Sequence, residues 1–209
     1  MNGKSHAILG AAASTLMLGI QGIDILDEPF VFVPALIVGV FASLLPDIDS
    51  GNNLFRKSLR LSSRRTLLDV RRTPITQPVK LIWAVCRFIL ARILNLMDRF
   101  LPHRGPTHFG ITAFGLTWLV FWMCTAWAWP DAIWQTFGAG YLSHLVGDGV
   151  TIRGVRFLAP FYDPSVHLVP KPLRIRVGTQ AENVMLALLV GVIFWLYLSF
   201  LGLVSLEFG

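Results

Sequence analysis

Charge is scarce in this sequence. Only 14% of its 209 residues are Asp, Glu, Lys or Arg, against about a quarter in soluble globular domains. With 54% hydrophobic residues and a mean hydropathy of +0.62, that scarcity excludes a soluble globule. Cysteine is scarcer still. Cys86 and Cys124 are the only two, and both sit in apolar helical runs, so a disulfide scaffold is excluded and they read as small hydrophobes. The high apolar content also excludes disorder and low complexity, and no internal repeat is present. What is there is an integral membrane protein, with room for a single membrane-embedded domain over residues 1–209.

The expected fold class is all-α: a polytopic membrane helical bundle of about five transmembrane helices plus one amphipathic interfacial helix. Apolar runs at 30–45, 109–129 and 184–204 stand out, the last two matching the roughly 20 residues that cross a hydrocarbon core. Two shorter runs, 7–22 and 132–147, are rich in small or polar residues and must be buried against other helices if they span. Residues 79–101 differ, because Lys80, Arg87, Arg92, Asp98 and Arg99 interrupt an apolar pattern that holds Trp83, Phe88 and Phe100. Such a segment suits the membrane interface. Lys4 followed by an apolar stretch resembles a signal peptide, but no convincing small-residue cleavage site precedes residues 21–28, so the segment is expected to stay as the first helix and to keep His6.

Charge is also missing from one side. With the N-terminus in the cytoplasm and five crossings, the outer segments hold Asp24, Asp27, Glu28, Asp131 and Glu207 and no Lys or Arg, while all 18 basic residues lie inside with the other seven acids. The net +6 thus resolves into +11 inside and −5 outside, as the positive-inside rule requires of a multi-pass inner-membrane protein. Two inner segments stand out, a basic loop at 50–80 and a second cytoplasmic loop at 149–182. The basic run at 56–72 reads as a contact for anionic headgroups, and no nucleic-acid partner is expected.

The same map gathers chemistry on the inner face. His6 begins the first helix; Asp47 and Asp49 follow the second in LLPDID; His103, Arg104 and His108 precede the third crossing in LPHRGPTH; His144 and Asp148 close the fourth. Positions 144 and 148 lie one turn apart on one helix face. Imidazoles with carboxylates suit zinc first, with manganese or iron as alternatives, in a site of one to three ions. An open position on such an ion turns water into hydroxide, and two close ions suit phosphoester cleavage.

Each piece has a plainer reading. His6 alone fits an interfacial cap with Ser5 as N-cap, Asp47 and Asp49 fit solvated loop acids, and HRGPTH fits a lipid-phosphate contact through Arg104. His144 with Asp148 resists such a reading, because ionisable groups inside a span are costly. Thr179 and Glu182 have the spacing of a capping box, which leaves Glu182 either a cap or a further ligand or base. His167 reads as loop. Trp118, Trp122, Trp127 and Trp129 lie toward an outer end that suits an aromatic belt.

With these motifs in view, the chain resembles the LexA-regulated, membrane-bound metal-dependent hydrolase family of bacterial inner-membrane proteins. The resemblance rests on His6 with its small-residue helix, LLPDID, HRGPTH, SHLVGDGVT and RIRVGTQAEN, which together cover nearly the whole chain. It implies a bacterial inner membrane, a divalent metal, a hydrolase and induction with the DNA-damage response. More remotely, the pattern is similar to zinc-dependent phospholipase C and related nucleases with three zinc ions. That analogy implies that His144 and Asp148 bind one ion, and His6 with Asp47 or Asp49 another.

The leading functional expectation is a metal-dependent hydrolase of a lipid or lipid-linked phosphoester at the cytoplasmic face. His6, Asp47, Asp49, His103, His108, His144 and Asp148 are the candidate ligands, Arg104 would neutralise an anionic substrate, and Asp49 would be the base if it is not a ligand. The alternatives are a non-enzymatic membrane protein with a structural metal site, and a lipid-binding or transport protein. Transport is disfavoured because the polar residues stop at one surface.

Overall fold

The first helix opens on Asn2, whose side-chain oxygen accepts the Ser5 backbone N–H at 2.9 Å. The cap is therefore Asn2 and not Ser5, and α1 runs over Gly3–Ile20. The computed structural model describes residues 1–49, 63–72, 74, 78–100 and 105–200. After α1 come α2 (Pro29–Leu44), with proline at its first position where the missing N–H costs nothing, α3 (Ser63–Arg72), α4 (Pro78–Phe100), α5 (Gly110–Trp127), α6 (Asp131–Gly149) and α7 (Gln180–Phe200). Short 3-10 turns lie at Pro46–Asp49, Pro106–His108 and Lys171–Leu173. Among the described residues there is no named strand, only the isolated bridges Thr151 to Ile175 and Val155 to Val166. The all-α class is as the apolar runs predict.

The chain divides into two compact units, Met1–Pro46 with Pro106–Gly209, and Asp47–Gly105. In the first, α6 packs against α1, α2 and α5, while α1 also packs against α2 and α7. Small residues let these backbones approach. A Cβ on Gly140 would lie 2.0 Å from the Gly39 carbonyl oxygen, and one on Gly10 would strike the Ser43 side chain. Gly39 is closed in likewise by Ser14 and the Thr136 carbonyl. This is how helices associate where lipid offers no hydrophobic contrast and van der Waals packing must hold them. Around this seam, Ala42, Ala113, Phe137, Tyr141, Leu145 and Val155 form one apolar cluster, and Leu18, Phe32, Ala35, Ala132 and Tyr197 another.

The outer helices have the opposite character. In α5 only Ala113 and Cys124 are buried, and in α7 only Glu182, Leu186 and Tyr197. Helices this apolar, with most side chains turned outward, suit lipid and not water. Among the described residues these two are long and apolar enough to cross a membrane, fewer than the five crossings the sequence suggests. The difference has a physical source. Helix α2 is apolar but has 16 residues, about 24 Å of rise. Helices α1 and α6 are longer but place Ser5, His6 and Ser14, or Thr136, His144 and Asp148, on buried faces.

In the second unit α3 packs on α4, and Arg87 Nη1 meets Asp69 Oδ2 at 3.3 Å. Part of the basic segment 50–80 is thus helical; the rest of it, apart from residues 74 and 78–80, lies outside the described residues. Helix α4 covers the expected interfacial segment and exposes Val79, Ile82, Trp83 and Ile89, an apolar stripe at helical spacing.

The Gly39–Gly140 crossing yields a prediction. Gly140→Ala forces a methyl group into a backbone carbonyl that cannot turn aside, so α2 and α6 must separate, at a cost of about 1–3 kcal/mol. Thermal unfolding in detergent should show a lower midpoint. An unchanged midpoint would mean that the two helices do not cross this closely.

Candidate functional site

The end of α2 leaves carbonyls without helical partners, and one of them organises the site. The Ser43 carbonyl oxygen lies 2.8 Å from His144 Nδ1. A carbonyl only accepts, so Nδ1 carries the hydrogen, and the lone pair of His144 sits on Nε2. That nitrogen faces His108 Nε2 at 3.3 Å. Against the face of the His144 ring the His6 imidazole is stacked, centroids 3.6 Å apart and planes within 15°.

Asp148, one helical turn beyond His144, completes the group. Its Oδ1 is 3.4 Å from His6 Nε2 and 2.5 Å from the Met1 ammonium, and its Oδ2 is 3.8 Å from His108 Nε2. Gly147 makes the room, since a Cβ there would press on Met1 Sδ at 2.9 Å and on Leu9 at 3.1 Å, with His6 next at 3.6 Å. His6 and His144 are fully buried, with Asp148 and His108 at 1% and 2% exposure. At that depth a carboxylate needs a cationic or hydrogen-bonding partner. Among the described residues His6 Nδ1 makes no hydrogen bond and Nε2 has only the 3.4 Å ion-pair contact with Asp148, which is costly for a buried imidazole. The ligand atoms of His6, His144 and Asp148 lie within 4.8 Å of one another, so the three could hold one metal ion.

His108 is held from behind. It ends the turn Pro106–His108, its Nδ1 lies 3.2 Å from Thr107 Oγ1, and the buried Tyr141 hydroxyl donates to the Thr107 carbonyl at 2.6 Å. The other expected residues are placed as follows. Asp47 is half-buried in the turn Pro46–Asp49, within the second unit. The Asp49 side chain, His103 and Arg104 lie outside the described residues. His167 sits in the loop after α6, its Nε2 donating to the Ile152 carbonyl at 3.1 Å.

Glu182 has a task its spacing only half reveals. Its two carboxylate oxygens accept the Gly178 N–H at 2.6 Å and the Asn2 N–H at 3.1 Å. The first bond is close to the expected cap of α7. The second ties the start of α7 to the start of α1, four residues before His6. Thr179 takes no part in a reciprocal cap, because its hydroxyl donates to the Arg176 carbonyl. The Asn2, Ser43 and Thr107 contacts all use backbone atoms, which no residue type signals; the Met1 ammonium is likewise main-chain.

Among comparisons with known proteins, a family model described as YdjM inner membrane protein matches residues 1–207. No curated protein and no solved structure matches.

The Tyr141 bond can be tested directly. Tyr141→Phe keeps the ring in the core but strands the Thr107 carbonyl, at a cost of roughly 1–3 kcal/mol. Hydrogen exchange at residues 107–110 should rise with it. Unaltered exchange and stability would show that the hydroxyl does not hold the turn.

Proposed function

The chain belongs to that inner-membrane family, and within it we propose a metal-dependent hydrolase that cleaves a phosphoester in a lipid or lipid-linked substrate. The observation that carries this reading is the buried group of His6, His108, His144 and Asp148. Two nitrogens bound to one tetrahedral zinc at about 2.0–2.1 Å are about 3.3–3.4 Å apart, and the His144 to His108 and His6 to Asp148 separations are 3.3 and 3.4 Å. A backbone carbonyl behind a ligating imidazole is the usual outer partner of a metal site, and Ser43 supplies one. His6 Nδ1, which makes no hydrogen bond among the described residues, leaves a ring nitrogen of His6 for an ion. Zinc suits this donor set best, and a bound ion would supply acidified water.

Around such an ion, this chain's residues have separable tasks. His144, fixed by Ser43, presents Nε2; His6, stacked on His144, presents a ring nitrogen; Asp148 supplies negative charge; Tyr141 and Thr107 position His108. Asp47, Asp49, His103 and Arg104 remain sequence-based candidates, the acids for further ligation or as base and Arg104 for a substrate phosphate. The proposed topology is five crossings with the N-terminus in the cytoplasm, which accounts for the sorting of all 18 basic residues to one side.

A second reading has its own support. The four side chains are sealed from solvent, which favours a metal held for stability, and the Met1 ammonium already pairs with Asp148, which favours no metal at all. Elemental analysis of detergent-purified protein separates these. Stoichiometric divalent metal is expected in the wild type, with loss in His144→Ala and in Asp148→Ala; normal metal content in both variants rejects the site. A panel of phosphodiesters and phosphomonoesters then separates enzyme from structural site: hydrolysis abolished by chelation and by either substitution supports the enzyme, and metal without hydrolysis supports the structural reading. For topology, a reporter fused after Gly209 should read periplasmic, and a cytoplasmic signal would refute the five-crossing arrangement.

A further inference from the structure

Residues 150–178, which join α6 to α7, form a built loop. The bridges at Thr151–Ile175 and Val155–Val166 close it, and the Leu168 N–H donates to the Gly149 carbonyl at 2.9 Å. Gly154 turns with φ +69°, where a Cβ would strike the Val166 carbonyl at 2.7 Å, so only glycine fits comfortably. The loop ends in a tight turn over residues 156–162: Ala159 N–H donates to Arg156, and the Phe161 and Tyr162 N–H groups both donate to the Leu158 carbonyl. Ala159 is buried inside this turn, whereas Leu158, Phe161 and Tyr162 point outward, Phe161 being 86% exposed.

The turn's depth follows from one bond. The Gly110 N–H donates to the Phe157 carbonyl at 2.8 Å, and the Phe157 ring lies against Gly110. Gly110 is the first residue of α5, a helix long and apolar enough to span, so in a membrane it sits where hydrocarbon meets headgroups. The loop is basic as well. Arg153, Arg156, Lys171, Arg174 and Arg176 face a single acid, Asp163, to which Arg156 is paired. Exposed aromatic and aliphatic side chains at the end of a span, in a loop with an excess of cations, match the headgroup layer of an anionic leaflet.

We propose that residues 156–162 are a lipid-docking turn, with Leu158, Phe161 and Tyr162 seated among the headgroups of anionic phospholipid in the bilayer that α5 crosses. The loop cations face the phosphates around it. This rests on α5 crossing and is independent of the metal reading and of the five-crossing topology.

The test uses the full chain with Cys86→Ser and Cys124→Ala, single cysteines labelled with an environment-sensitive fluorophore, and nanodiscs of phosphatidylcholine with or without phosphatidylglycerol. Phe161→Cys and Tyr162→Cys probe the turn, Leu119→Cys probes the outward face of α5, and Ser165→Cys probes the exposed loop beside the turn. Expected are blue-shifted emission and protection from iodide at 161 and 162, greater with phosphatidylglycerol, and strong protection at 119. Two turn positions guard against one substitution disturbing the turn. Water-like emission at 161 and 162 with protection at 119 overturns the proposal while leaving α5 a span. Water-like emission at 119 removes the span and the proposal with it. Equal protection in both bilayers overturns the preference for anionic lipid. Protection at 165 matching that at 161 overturns the assignment to this turn.

Discussion

A carboxylate closed off from water sets the terms for the first unit. Asp148 lies among Met1 and three imidazoles, and at such burial an uncompensated charge would cost several kcal/mol. The chain answers from three directions: the amino terminus and His6 approach Oδ1, and His108 approaches Oδ2. Together they join the start of α1 and the turn before α5 to the end of α6, which carries Asp148. The electrostatic demand of one side chain therefore constrains three distant parts of the sequence, and Glu182, clasping Asn2, adds α7 to the set.

Two kinds of packing share this unit. Toward the middle, Gly10, Gly39 and Gly140 bring backbones together and leave polar side chains facing one another. Toward the outside, α5 buries only two of its side chains and α7 only three. Buried polar side chains beside apolar clusters, with apolar residues outside, fit a bilayer as solvent, since lipid contributes nothing to holding two apolar helices together.

Much of this could be read in the sequence, for identifiable reasons. Hydropathy and period are local, so the helices of the first unit and the apolar stripe of α4 were visible in residue patterns, whereas α3, which read as basic loop, was not. The expected topology placed His6, His108, His144 and Asp148 on one face, and the structure brings these four side chains together. The hidden part was whatever runs through main-chain atoms. The Ser43 and Thr107 carbonyls, the Asn2 N–H and the Met1 ammonium carry no mark of their role, and Asn2 displaced Ser5 as the cap because capping depends on where the helix begins, not on which residue has the better side chain. The second bond of Glu182 was likewise invisible, because its spacing to Thr179 pointed to a local partner and the actual one lies 180 positions away.

The Ser43 contact also bears on how this protein can change over evolutionary time. Because the acceptor is a carbonyl, every residue type at position 43 offers it, and substitution there acts only through side-chain fit beside Gly10. Insertion or deletion of one residue within α2 is another matter: it turns everything downstream by about 100° and shifts it by 1.5 Å, carrying the oxygen out of reach of His144. For this contact the helix is thus tolerant in composition at position 43 and intolerant in length, so its residue count bears on the contact more than the identity of residue 43.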